Sequence, residues 1–164
     1  YKYETLEVEP MQYPFITHHQ VTEDMIDHNG HMHDSDYNIV FSKAINEFHY
    51  QHGLSLAARD QLNYTVFTAK VHTSYLSELA KDDHFNIHVY IYDYDKKRIH
   101  FFLMLYKDDD TLAATNEVMM IGIDRSTNQT APFPASFFSQ LEQAHHAQPQ
   151  VDWPKQLGHR ISVS

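Results

Sequence analysis

DHNGHMHDSDYNIVFSKAINEFHYQHG, residues 27–53, decides how the chain folds, because a polar turn crowded with Asp, Asn and His runs straight into an amphipathic stretch. From Tyr37 the apolar residues recur at Val40, Phe41, Ala44, Ile45 and Phe48, the spacing of a single buried stripe on one helix face. This spacing predicts a helix over about 35–52. Asp34 or Ser35 can cap its first turn, Asp36 suits the positive end of the macrodipole, and Gly53 stands where a left-handed residue ends a helix. Ahead of the helix Gly30 permits a tight turn, leaving the amides from His31 onward free to face a ligand oxygen. Asp27, just upstream of that turn, should stay ionised beside such donors, near any carbonyl they polarise.

Outward from the helix the pattern changes period. Before it, Phe15 to Val21 reads as a first strand, with Pro10 and Pro14 bracketing a short edge segment and no clear period over residues 1–12. After it, Leu54 to Asn63 is a connection with one helical turn, and Tyr64 to Leu76, rich in Thr, Val, Phe and Tyr, is a strand. Lys81 to Asp83 turns, and Phe85, Ile87, Val89 and Ile91 then alternate with polar neighbours. Asp93 to Arg98 turns again, leading into Ile99, Phe101, Leu103 and Leu105, a strand whose second face is also apolar and which is therefore central. Asp108 to Asp110 forms the next turn, and Leu112 to Ile123 makes a last strand. Four successive strands with short connections imply an antiparallel meander, and the one long helix must cover a face of it. Such a sheet leaves an edge, and the long runs Phe85 to Ile91 and Ile99 to Leu105 make edge pairing between subunits an expectation. Pro132 and Pro134 precede a short helix over about 135–146, followed by an irregular tail.

The 164 residues suit one domain, with a core over about 13–135. Hydrophobic residues at 42% and aromatics at 13% suffice for a packed interior. With no cysteine, thiolate catalysis and thiolate-bound metal are excluded. The net charge of −10 argues against a nucleic-acid partner. No apolar run approaches a membrane span, and Tyr1 to Pro10 lacks the regions of a signal peptide, so a cytoplasmic protein is expected. Opening on Tyr1 rather than Met suggests a trimmed or processed start.

The order of strand, helix and long antiparallel meander, with Asp27-His28-Asn29-Gly30 ahead of the helix and Tyr37 seven residues after the glycine, resembles the hotdog-fold thioesterases of the 4-hydroxybenzoyl-CoA thioesterase type. The runs His72 to Glu78, Lys97 to Phe101 and Ala114 to Met119 look most like the branch acting on betainyl-CoA in carnitine and betaine catabolism. The pattern departs at His33, where that branch would carry Asn. The resemblance implies an α+β hotdog fold, an antiparallel sheet wrapped around one long central helix. It also implies hydrolysis of a short acyl-CoA, betainyl-CoA among the options, to free acid and coenzyme A, without a cofactor. The working unit would be a homodimer or homotetramer with sites at the subunit boundary. A non-catalytic hotdog protein that binds acyl-CoA or another small ligand is the alternative.

In this reading Asp27 attacks the thioester carbon or activates water, while Asn29, His31 and the amides around Gly30 polarise the carbonyl. Met32 and Tyr37 stand on the substrate side. His72 and Glu78, six residues apart, would share a face if the strand were regular through Glu78, and could bind substrate or orient water. Lys96, Lys97 and Arg98 form the one dense basic run and are candidates for the phosphates of coenzyme A. His28, His31 and His33 with Asp27 and Asp34 invite a metal, yet their spacing across a turn is not a usual ligand set, and no metal is assigned.

Overall fold

The computed structural model describes residues 11–163, so the readings for residues 1–10, including the Pro10 end of the edge segment, lie outside the described residues. Helix α1, Asp34–Gln51, buries the stripe expected of it: Tyr37, Val40, Phe41, Ala44, Ile45 and Phe48 are all buried, and His49 joins them. Each large apolar side chain so placed contributes about 1.5–3 kcal/mol relative to exposure, so packing rather than propensity holds the helix. Its start differs from expectation. His33 is the capping residue and makes no side-chain cap bond, whereas Asp34 Oδ1 accepts the Ser35 amide at 2.8 Å from inside the first turn. The end is as expected: Gly53 has φ +100, and the Leu54 amide returns to the His49 carbonyl.

Five long strands and one short one form a single antiparallel sheet: β1 Phe15–Gln20, β2 Tyr64–Tyr75, β3 His84–Tyr94, β4 Arg98–Lys107, β5 Leu112–Asp124 and β6 Gln129–Thr130. The order is β1-β3-β4-β5-β2, with β6 beside β5. This corrects the four-strand meander, since only β3, β4 and β5 follow one another. β2 lies at the far edge against β5, and β1 takes the place beside β3. The cause is in the β2–β3 connection, residues 76–83. Fully buried Leu79 donates its amide to the Tyr37 hydroxyl and accepts from the Met32 amide, which carries the chain across the head of α1 to β1. There Val21 and Asp83 are joined by a backbone bond. Edge exposure follows the same correction: β3 and β4 are interior, and the open edge beside α1 belongs to β2, with Phe67, Val71 and Tyr75 exposed.

The connection after α1 is a two-turn helix, α2 Leu56–Leu62, capped by Ser55, rather than a single turn. α3 is Ala135–Ala147, and the tail beyond it is irregular as expected. The tail is nonetheless packed. Val151, Trp153 and Leu157 cover Tyr90, Phe102 and Met104, which explains why the second face of β4 is apolar. Among the described residues no helix is long and apolar enough to cross a membrane.

Candidate active site

The turn between β1 and α1 is built on one carboxylate. The Asp27 amide donates to the His31 carbonyl at 2.8 Å, the Gly30 amide returns to the Asp27 carbonyl at 3.0 Å, and Gly30 has φ +79, which a Cβ would strain. The Asp27 side chain closes the same turn, its Oδ1 accepting the amides of Asn29 at 2.8 Å and His31 at 3.1 Å. These bonds, that from His31 first, hold the carboxyl below the ordinary carboxylate range, and His28 and His33 nearby act in the same direction. Asp27 is thus an anion at neutral pH. Its Oδ2 has no hydrogen bond among the described residues, so one oxygen is fixed and the other is available.

The expectation that amides from His31 onward face a ligand does not hold. His31 and Asn29 give theirs to Asp27, Gly30 to the turn, Met32 to Leu79, His33 to Met25 and Ser35 to Asp34. Asp34, first in α1, is the residue of this stretch whose amide has no acceptor among the described residues. It points along the positive end of the helix, the direction that favours an oxyanion.

The remaining candidates separate. Glu78 reaches His31, Oε2 to Nε2 at 3.2 Å, so these two belong to the Asp27 end of the sheet. Asn29 is exposed beside them. Met32 is buried in the main core and offers no surface to a substrate. The Tyr37 ring is buried too, and its hydroxyl accepts from Leu79 and donates to the Ser77 carbonyl at 3.4 Å, which makes it an anchor of the connection that carries Glu78. His72 does not share a face with Glu78. β2 ends at Tyr75, so the alternation that would have aligned them stops short of Glu78; within the strand Thr73 turns toward α1 and His72 to the opposite side beside Glu117. Lys96, Lys97 and Arg98 sit at the β3–β4 hairpin tip, at the far end of the eleven-residue β3. That is about 35 Å of strand from the end next to Asp27. Arg98 is also engaged, with Nε and NH2 on Asp95 Oδ2. The His and Asp side chains of the turn do not converge on a metal-holding group among the described residues.

A cleft of about 110 Å³ opens between α1 and β2, lined by Asn38, Ser42, Val71, Asn116 and Met120 among others. Its polar wall is a relay that sequence reasoning missed. Asn116 Nδ2 donates to Thr73 Oγ1, Thr73 donates to Asn38 Oδ1, Asn38 Nδ2 donates to the Tyr75 hydroxyl, and Tyr75 donates to the Asp34 carbonyl. The relay ties the cleft to the first residue of α1. The signal for it was present only as a polar residue, Asn38, at the second turn of an otherwise periodic helix.

Comparison with known proteins agrees with this geometry. The profile of the Thioesterase-like superfamily matches residues 21–141. A hypothetical protein from Staphylococcus aureus, solved in complex with CoA, superposes with a TM-score of 0.91 at 53% identity, covering 92% of this chain and 95% of that one. The betainyl-CoA thioesterase of Pseudomonas aeruginosa is 29% identical over 144 residues, 87% of this chain and 91% of that protein. The L-carnitine dehydrogenase/betainyl-CoA thioesterase of Agrobacterium fabrum is 25% identical over 150 residues, 91% of this chain but 31% of the longer protein.

Proposed function

This chain belongs to the thioesterase-like superfamily, whose profile covers most of it, and from that premise we propose that it hydrolyses an acyl-CoA thioester with Asp27 as the acting carboxylate. The observation that carries the assignment is the asymmetric carboxylate, with Oδ1 held by two amides and Oδ2 open. The thioester carbonyl would take the Asp34 amide, and Oδ2 then either attacks the carbonyl carbon, releasing the thiolate and leaving a mixed anhydride that water cleaves, or draws a proton from an attacking water. Both routes yield free acid and coenzyme A. His31 and Glu78, paired with each other at this turn, are proposed to order the water.

Two finer proposals go with this reading. The working unit is at least a homodimer paired along β2, an edge that carries unpaired backbone and exposed Phe67, Val71 and Tyr75. The acyl group is short. Likeness to betainyl-CoA thioesterases supports the betainyl group, although the cleft named above has neither a carboxylate nor an aromatic ring in its walls. Recognition of a trimethylammonium would fall to the ring of Tyr75, whose hydroxyl meets Asn38. A thiol-release assay over a panel containing betainyl-CoA and its uncharged isostere 3,3-dimethylbutanoyl-CoA tests both levels. Absence of thiol release across the panel would leave a binding protein, and equal kcat/KM for the two isosteres would remove the cation.

A further inference from the structure

On the side of the sheet away from α1, a cleft of about 670 Å³ runs between β2, β5 and the tail at residues 158–161. Met119 forms part of an apolar floor, and Ile161 overhangs it. The rim carries two cations, Lys70 from β2 and Arg160 from the tail, beside the imidazoles of His72 and His159. One carboxylate lines the cleft, that of Glu117, and both its oxygens are taken, Oε2 by His100 Nε2 at 2.6 Å and Oε1 by the Gly158 amide at 2.8 Å. That carboxylate therefore fixes the tail over the cleft instead of neutralising the rim. Among the described residues Lys70, His72, His159 and Arg160 form no ion pair. In a chain of net charge −10, the ammonium of Lys70 and the guanidinium of Arg160 are thus left without a carboxylate partner among the described residues.

We propose that this cleft binds the 3′-phosphorylated ADP end of the CoA thioester, with phosphate oxygens on Lys70 and Arg160 and the adenine over Met119 beneath Ile161. The chemistry matches on both counts: guanidinium and ammonium groups take phosphate through charge-assisted bonds, and a purine buries its face on an apolar floor. The reach matches as well. From His72 the strand runs three residues to Tyr75, about 10 Å, and the Tyr75 hydroxyl donates to Asp34 at the head of α1. The arm of the thioester rounds the Tyr75 end of β2 to reach the Asp27 end, a path that the hairpin cations Lys96 to Arg98 cannot serve. The proposal rests on the reading of the chain as an acyl-CoA thioesterase.

Its test is calorimetric titration of CoA and of adenosine 3′,5′-bisphosphate into the full chain and into the Lys70→Ala/Arg160→Ala double variant, both positions being exposed. Both ligands are expected to bind the wild type, and to bind the variant about tenfold to a hundredfold more weakly, the loss of charge-assisted contacts. KM for an acyl-CoA should rise by the same factor, while hydrolysis of the matching acyl-pantetheine thioester, which has no phosphates, provides the reference. Equal affinities in the two proteins, no binding of the bisphosphate to the wild type, or an equal penalty on the pantetheine thioester would overturn the assignment. Binding through these residues with no thioester cleavage would sink the hydrolase reading and leave the cleft, whereas cleavage unchanged in the variant would do the reverse.

Discussion

Replacing Tyr37 by Phe removes one oxygen and keeps the ring, including its edge contact with Tyr75 at 5.2 Å. In the wild type that oxygen accepts the Leu79 amide at 3.2 Å and donates to the Ser77 carbonyl at 3.4 Å. The donated bond is long and contributes little. The accepted one matters because Tyr37 is 4% exposed and Leu79 is 0% exposed, so water cannot replace the lost acceptor. A buried amide left without a partner costs about 1–3 kcal/mol, and the smaller desolvation of Phe offsets part of it, giving a net loss of about 1–2 kcal/mol. For a chain of this size that lowers Tm by about 2–8 °C. Urea denaturation should show the midpoint fall at constant slope, since the same surface is exposed on unfolding. A Tm within about 1 °C of wild type would refute the claim that this hydroxyl holds the β2–β3 connection.

Three further outcomes follow from the same geometry. Because the amides of His31 and Asn29 depress the Asp27 carboxyl, the acid limb of kcat/KM should fall below the ordinary Asp value of about 3.9, and a limb near 6.5 would assign the chemistry to a histidine instead. Burial pushes the His49 imidazole from 6.5 down to about 3; the unfolded chain protonates it first, so stability is full above the unfolded value and lost as pH falls through this window. The His49 contribution is about 2 kcal/mol between pH 7 and 5, and His49→Leu should flatten that slope in urea denaturation curves. Glu117→Ala frees both His100 and the Gly158 amide, and is expected to expose the tail to proteolysis and to shift Trp153 fluorescence; a wild-type cleavage rate would show that Trp153 packing alone suffices.

Periodicity revealed which residues are buried and little about which strands are neighbours. The stripe from Tyr37 to Phe48 and the alternation of β3 and β4 were legible because side-chain direction repeats with the backbone. The place of β2 was not, because it depends on Leu79 and the Tyr37 hydroxyl meeting across the head of α1, a contact between residues 42 apart. The pairing of His72 with Glu78 failed because β2 stops at Tyr75, and where a strand gives way to its connection has no signature in the alternation of Tyr64 to Leu76. In the turn, Asp27 and Gly30 were legible as a pair. The destination of each amide was not, since Asp27 could satisfy its neighbours or leave them to a ligand, and only the folded turn shows that it takes them.

The central claim is that the open oxygen of Asp27 acts on the thioester. Asp27→Asn retains an acceptor for the Asn29 and His31 amides and removes the anion, so turn and fold are preserved while the reacting group is lost. Measured by thiol release from the best acyl-CoA of the panel, kcat should drop about a hundredfold or more, with CoA affinity within about twofold of wild type. Turnover close to wild type in a variant that binds CoA normally would contradict the account.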